Sequence, residues 1–370
     1  MSTTETLAAP SRIVAFPGDG VGGEVMTAAL GVLDAVAEKF GRRFQVEDRQ
    51  IGGAAIDAYG TPLRREDLEA ARAADAVLLG AVGGPKWDDP HASMRPEQGL
   101  LRIRKGLGLF ANLRPVAVSP ALSAASPIKA EIVAGTDMLV VRELTGGIYF
   151  GRPSRQWRDR RGRAAVDTLR YREHEIARVT RLAFELAQGR RNKVTSVDKA
   201  NVLSSSRLWR TMVSEIGCEY PTVELEHVLV DAMAMHLVRQ PTRFDVVLTE
   251  NMFGDILTDE ASVLGGSIGL LPSASLGAPH ANGRRPGLYE PIHGSAPDIA
   301  GLGRANPVGM ILSVALALRY SLWLDREAMA VEQAVVDTLA AGMRTADLIG
   351  VGGPVSTEVI GDAIVRRILS

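Results

Sequence analysis

"RIVAFPGDGVGGEV", residues 12–25, is an apolar run that breaks at proline and glycine and resumes as an amphipathic segment. Gly18, Gly20 and Gly23 fit G-x-G-x-x-G between a predicted strand and a predicted helix, the spacing of a Rossmann dinucleotide loop. In that reading Glu47 or Asp48, at the end of the next strand, would hold a ribose. A glycine turn that only lets a strand enter a helix fits equally well. Two residues argue against a pyrophosphate cradle. Pro17 precedes the first glycine, and Asp19 inside the loop would repel phosphate unless its carboxylate turns away.

Outward from this loop the chain alternates apolar runs with helical patterns, the mark of an α/β protein. "FQVEDRQI", "DAVLLGAVGG", "TDMLVVREL", "KVTSVD" and "FDVVLT" read as strands. "PLRREDLEAARAA" reads as a helix, and three more helices close the chain around 306–324, 327–343 and 356–369. "TVELEHVLVDAMAMHLV" passes from alternation to helical spacing near Asp231. The polar stretch 151–170, with arginines from Arg152 to Arg163, breaks this rhythm as an excursion from the fold. The 370 residues are 46% hydrophobic, enough for more than one domain core. Forty-two basic residues balance 43 acidic ones, which argues against a dedicated nucleic-acid binder. Cys218 is the only cysteine, so no intrachain disulfide forms, in keeping with a reducing compartment. The start lacks the pattern of a secretory signal, and "MILSVALALRYSLWL" is short and holds Arg319, so it reads as core and not as a membrane span. These features predict a cytoplasmic protein that binds neither nucleic acid nor membrane.

Several residues carry possible chemistry. In "PEQGLLRIRK", Glu97, Leu100, Leu101 and Arg104 share one helical face, and a plain core face would not end in a guanidinium. Arg114 follows in "NLRP" and Arg142 in "VRELTGG"; arginine forks bind carboxylates, although each could equally make a surface ion pair. Tyr149 beside a glycine pair is a packed ring or a proton donor. Lys199 follows a strand, and Asp231 stands at a strand-to-helix junction where a carboxylate also caps. In "NMFGDILTDE", residues 251–260, Asp255 and Asp259 are one turn apart and repel on a bare helix. A shared divalent cation would reverse that repulsion. With Asp231 the pair makes an all-oxygen set suited to Mg²⁺, and no His/Cys cluster suggests zinc. The loop "HGSAPDIAGLGRANP", residues 293–307, is rich in small residues and lets backbone approach a ligand.

Taken together, "FPGDGVGGEV", "GAVGGPKW", "LFANLRP", "VRELTGGIYFG", "SVDKANVL", "VDAMAMHLV", "NMFGDILTDEAS", "GLLPSASLG" and "EPIHGSAPDIAG" resemble, in order, the β-decarboxylating dehydrogenases. "RELTGGIYFG" with "HGSAPDIAG" resembles the isopropylmalate branch. The resemblance implies an α/β, two-domain isocitrate/isopropylmalate dehydrogenase-like fold, not a Rossmann fold. It places a first domain at about 1–109 and 266–370, and a second, dimer-forming domain at about 110–265 with an arm near 151–170. It implies NAD and Mg²⁺ or Mn²⁺ as cofactors, 3-isopropylmalate as substrate, and a homodimer with shared active sites. By position, Arg104, Arg114 and Arg142 hold the substrate carboxylates, and Asp231, Asp255 and Asp259 the metal, Asp231 also meeting substrate. Lys199 assists deprotonation, and Tyr149 delivers a proton. Leu100, Leu101 and Val202 line the isopropyl pocket, with Glu97 near the nicotinamide. NAD falls to His293, Gly294, Ser295, Ala296, Pro297, Asp298, Asn306, Asn112 and Glu290. Related enzymes acting on tartrate, D-malate or homoisocitrate are the near alternative, and an RNA-binding protein using the Arg152–Arg163 run the remote one. The sequence departs from the family pattern at Gly23, where proline is common, and at the charged Glu250.

Overall fold

The apolar opening run forms β1 (Ser11–Gly18), in which Ile13, Val14, Ala15 and Phe16 are buried. It ends where Gly18 turns left-handed at φ +74°, with no room for a Cβ, which would sit 1.9 Å from the Ala81 carbonyl oxygen. Helix α1 (Gly22–Phe40) stops at Gly41, whose left-handed conformation returns its N–H to Ala37. Then come β2 (Phe44–Asp48), α2 (Gly52–Tyr59), α3 (Arg65–Ala73), β3 (Ala76–Ala81) and α4 (Glu97–Gly106). The middle of the chain forms β4 (Ala111–Ala117), α5 (Ala130–Val133), β5 (Asp137–Glu143), β6 (Arg155–Asp159), β7 (Gly162–Val166) and α6 (Glu173–Gln188). It continues through β8 (Lys193–Asp198), α7 (Ser204–Gly217), β9 (Glu224–Leu229), α8 (Val230–Arg239), β10 (Val246–Thr249), α9 (Asn251–Ser262) and β11 (Pro272–Leu276). Strand β12 (Gly287–Pro291) and helices α10 (Val308–Tyr320), α11 (Asp325–Ala340) and α12 (Thr357–Leu369) close it. This computed structural model describes residues 9–348 and 353–370, apart from 88, 90, 91 and 93.

The chain divides into two compact units. One runs up to Leu107 and takes in Pro279–Asp347 and the final helix; the other is centred on Gly108–Ala278. In the first, the strands lie in the order β2-β1-β3-β12, parallel throughout. In the second the order is β11-β4-β5-β10-β8-β9. There β5, β10, β8 and β9 are parallel, while β4 runs against both β11 and β5. The return to the first unit lies beyond Ala278 and not near residue 265, because β11 pairs with β4 from Leu113 to Ala111. The second unit's core packs Val116, Met138, Val140, Val197, Phe244 and Val247 against Met233 and Leu237 of α8 and Leu257 and Ala261 of α9.

The stretch expected as one long strand, "FQVEDRQI", is shorter: β2 ends at Asp48 and α2 begins at Gly52. Two glycines open α2 and hid it from a propensity reading. The arginine-rich excursion is an antiparallel hairpin of β6 on β7, with β6 exposed along its whole length. Among the described residues no helix is long and apolar enough to cross a membrane.

The Gly23 departure is harmless to packing. It lies in the first turn of α1, and a Cβ there meets nothing within 4 Å. Since glycine in a helix forfeits about 0.5–1 kcal/mol relative to alanine, Gly23→Ala is expected to raise stability by about that amount in urea unfolding. An unchanged or lower midpoint would mean that this turn needs the freedom of glycine.

Candidate active site

In the second unit the site is set by strand register. Asn112 and Arg114 alternate onto one face of β4, and Asn112 is the cross-strand partner of Arg142 on β5. The three side chains therefore share a face. Helix α9 follows β10, the parallel neighbour of β5, and packs on β5 and β4. Gly254 permits this approach: a Cβ there would lie 2.7 Å from Arg142 Cγ. Helix α9 buries Phe253, Leu257, Thr258 and Ala261, which leaves Asp255 and Asp259 together on its other side.

The aspartates meet the arginines. Arg142 Nη1 pairs with Asp255 Oδ1, and Arg114 reaches Asp255 and Asp259, each at 3.6 Å. The Tyr149 hydroxyl donates to Asp255 Oδ2 at 3.1 Å. Burial, then the Asp255 charge, push the Tyr149 hydroxyl above the usual tyrosine range, which keeps its proton in place. Burial also raises the Asp259 carboxyl, with the neighbouring Asp255 charge adding to it and Arg114 opposing it. The structure thus brings together Arg114, Arg142, Tyr149, Asp255 and Asp259.

Lys199 and Asp231 form a second grouping. Lys199 follows β8 and Asp231 opens α8 after β9, so both stand at the carboxyl ends of neighbouring parallel strands. Lys199 Nζ donates to Asp231 Oδ1 at 2.5 Å, and this bond holds the Asp231 carboxyl below the usual range. Val202, three residues on, is 61% exposed. Among the described residues no three His, Cys, Asp or Glu side chains gather to hold a metal. One chain therefore supplies Asp255 and Asp259 as a pair and Asp231 elsewhere.

In the first unit Asp19 answers the question the glycine loop poses. Its carboxylate turns inward and accepts N–H groups from Gly53, Ala54 and Gly83 at 2.7–2.8 Å, capping α2. The loop spends its glycines on close packing and not on a phosphate: Val21 N–H donates to the Ser295 carbonyl at 2.8 Å. Ser295 lies in the loop 293–298, where Ala296 has φ +38°, a strained angle for a residue with a side chain. His293 Nδ1 lies 2.8 Å from the Gly294 carbonyl, whereas its Nε2 is buried without a partner. Gly294, Pro297 and Asp298 are exposed. Asn306 receives the Val308 N–H and donates to Asp347. On α4 the core side is Gly99 and Ile103, so Glu97, Leu100, Leu101 and Arg104 lie off it, Leu101 being 45% exposed. Arg104 Nη2 donates to Glu290 at 2.6 Å, while its buried Nε has no partner.

One expected nucleotide contact has a different place. The Asn112 side chain is fully buried, its Oδ1 taken by Arg114 Nε at 2.8 Å and its amide by Ser273 and Ser275. It orients Arg114 and has no surface left for a cofactor. Glu290, also expected to meet the nucleotide, is engaged by Arg104. The sequence reading missed Thr258, which accepts from Arg114 Nη1 at 2.5 Å, and Asn251. The signal for Thr258 was spacing: it is one turn beyond Gly254 on the buried side of α9.

The geometry agrees with what similar proteins are called. The model of the isocitrate/isopropylmalate dehydrogenase family matches residues 12–364. The chain belongs to this family. It is 59% identical over 359 residues to a 3-isopropylmalate dehydrogenase of Anaeromyxobacter dehalogenans (strain 2CP-C), covering 97% of this chain and 99% of that one. A namesake from Bacillus subtilis (strain 168) is 55% identical, with 97% of each covered. Among solved structures, isocitrate dehydrogenase from Methylococcus capsulatus superposes with a TM-score of 0.84 at 33% identity, covering 97% of this chain and all of that one. A β-decarboxylating dehydrogenase from Thermococcus kodakarensis gives 0.77 at 37% identity, covering 97% and 96%. The fold is that of the family, as the ordered motifs imply.

The paired aspartates give a test that needs no catalysis. Asp255→Asn removes half the local negative charge but keeps the shape. Mn²⁺ affinity, measured by calorimetry on the folded protein, is expected to fall at least about tenfold. Full affinity would mark the pair as a solvated face.

Proposed function

We propose that the chain is an NAD-dependent oxidoreductase that oxidises and decarboxylates 3-isopropylmalate to 4-methyl-2-oxopentanoate, in leucine biosynthesis in the cytoplasm. The observation that carries this is the cluster of Arg114, Arg142, Tyr149, Asp255 and Asp259 on one sheet face, in a chain so similar to proteins of that name. Two buried arginines suit a dicarboxylate. Exposed Leu101 and Val202 suit an alkyl substituent and offer nothing to the third carboxylate of a homoisocitrate-type acid.

The residues fit the cofactors. Asp255 and Asp259 are hard oxygen donors side by side, as Mg²⁺ or Mn²⁺ requires, and Asp231 completes the set. The loop 293–298, with its strained Ala296 and unpartnered His293 Nε2, fits a nucleotide. When bound, the cation would supply stabilisation of charge on the substrate oxygen, and NAD would supply the hydride acceptor. Arg114 and Arg142 bind and orient the carboxylates. Lys199 assists deprotonation of the hydroxyl as the 2-oxo group forms. Loss of CO₂ from the carbon adjacent to that group leaves an enolate, and Tyr149 donates a proton to that carbon as the 2-oxo group re-forms.

Asp298, exposed on the loop 293–298, would accept the ribose hydroxyls, and its charge would disfavour the 2′-phosphate of NADP. NADH formation with 3-isopropylmalate is therefore expected, abolished by EDTA, restored by Mg²⁺ or Mn²⁺, and lower in kcat/KM with NADP. Faster turnover of tartrate, D-malate or homoisocitrate would move the substrate, and EDTA resistance would remove the metal.

The working unit is a homodimer formed by the second unit, with the β6–β7 hairpin as its arm. Asp231 and Lys199, which pair with each other apart from the Asp255–Asp259 pair, complete the partner's site. Co-expressing Lys199→Ala with Asp255→Asn tests this. Random pairing makes about half the dimers hybrid, each with one intact site, so about a quarter of wild-type activity should return. Confirmed hybrids without activity would show that each chain works alone.

A further inference from the structure

Behind the arginines lies a buried network that the proposed chemistry does not use. Asn251, the first residue of α9, is 1% exposed. Its Oδ1 accepts from both Nε and Nη2 of Arg142, at 3.0 and 2.7 Å. Its Nδ2 donates to the Gly146 carbonyl at 3.1 Å. That last bond fixes which way the amide faces: reversed, the NH₂ would confront the guanidinium and the oxygen would confront a carbonyl. The backbone N–H of Asn251 donates to the Tyr171 hydroxyl at 3.0 Å, and that hydroxyl donates to Glu250 Oε2 at 3.2 Å. Glu250 in turn accepts the Phe253 N–H at 2.8 Å and caps α9. One edge of the Arg142 fork is thus spent on Asn251, while Nη1 is turned to the aspartate side.

We infer that Asn251 is a positioning residue that sets the direction of the Arg142 fork for a substrate carboxylate, with Tyr171 fixing Asn251 in place. This deepens the proposed reading and rests on it, since it takes Arg142 to be a carboxylate-binding group. A guanidinium can rotate about its last side-chain bonds. Anchoring Nε and Nη2 to one oxygen leaves Nη1 a single direction, so the ordering cost is met before substrate arrives. The carbonyl of Gly146 lies three residues before Tyr149, so the same amide also ties the Tyr149 loop to α9.

The test is a double-mutant cycle on the full-length enzyme, with KM for 3-isopropylmalate, KM for NAD and kcat measured at saturating Mg²⁺. Asn251→Ala is expected to raise KM for 3-isopropylmalate about tenfold, the loss of a charged hydrogen bond, and to change KM for NAD less than about twofold. Arg142→Lys keeps the charge but cannot make the forked contact, so on that background Asn251→Ala should add less than about twofold. Tyr171→Phe keeps the ring and serves if Asn251→Ala does not fold; its effect should have the same selectivity and vanish in the same background. Equal rises in both KM values, a lower unfolding temperature with unchanged KM, or full additivity with Arg142→Lys would overturn the inference. Arg142→Lys leaving KM for 3-isopropylmalate unchanged would instead sink the carboxylate role of Arg142 itself.

Discussion

The second unit is organised around two guanidinium charges taken out of water. The side chains of Arg142 and Arg114 are 5% and 10% exposed. A buried charge is tolerated only when counter-charge and hydrogen bonds surround it. Here that requirement dictates the neighbours. Arg142 takes Asn251 and Asp255, and Arg114 takes Asn112, Thr258, Asp255 and Asp259. The N-terminus of α9, itself positive in dipole, packs beside them, so Glu250 caps it with a carboxylate. Glycine at 254 follows from the same demand, because the helix must come close enough for Asp255 to reach Arg142.

Much of this arrangement was legible in the sequence, and the reason is periodicity. Alternation placed Arg142 on a strand, and 3.6-residue spacing put Asp255 and Asp259 on one side of a helix. Spacing also put Glu97, Leu100, Leu101 and Arg104 off the core side of α4, as found. The motif at residues 18–23 shows the limit. Pattern alone admits a phosphate cradle, and only the inward turn of Asp19 onto Gly53, Ala54 and Gly83 excludes it. Asp19 was the clue, since a carboxylate in such a loop must find donors within the protein.

What stayed hidden were long-range partners. Asn112 and Asn251 carry no periodic signal, and an amide in a strand or at a helix start reads as ordinary. Their roles arise from contacts such as Asn112 to Ser273 and Asn251 to Arg142, across 161 and 109 residues of sequence, through cross-strand register and helix packing. Glu250 stood out as a departure from the family pattern, yet its role as a cap becomes clear only once α9 is known to begin at Asn251. The boundary after Ala278 was hidden for the same reason, because it depends on which strand β11 pairs with.

The mutual pairing of arginines and aspartates also bears on how such a site accepts ligands. Arg114 and Arg142 contribute two positive charges, and Asp255 and Asp259 two negative ones, so the cluster is neutral in itself. A dicarboxylate and a divalent cation, taken together, are neutral as well. If both enter, the carboxylates can pair with the arginines and the cation with the aspartates, and net local charge is conserved throughout. Entry of either ligand alone would leave two charges uncompensated in a partly buried setting, where solvation is weakest. The proposed reading therefore implies that substrate and cation favour each other's binding by reciprocal linkage. The cause is the pairing itself: each ligand releases the group that the other one needs.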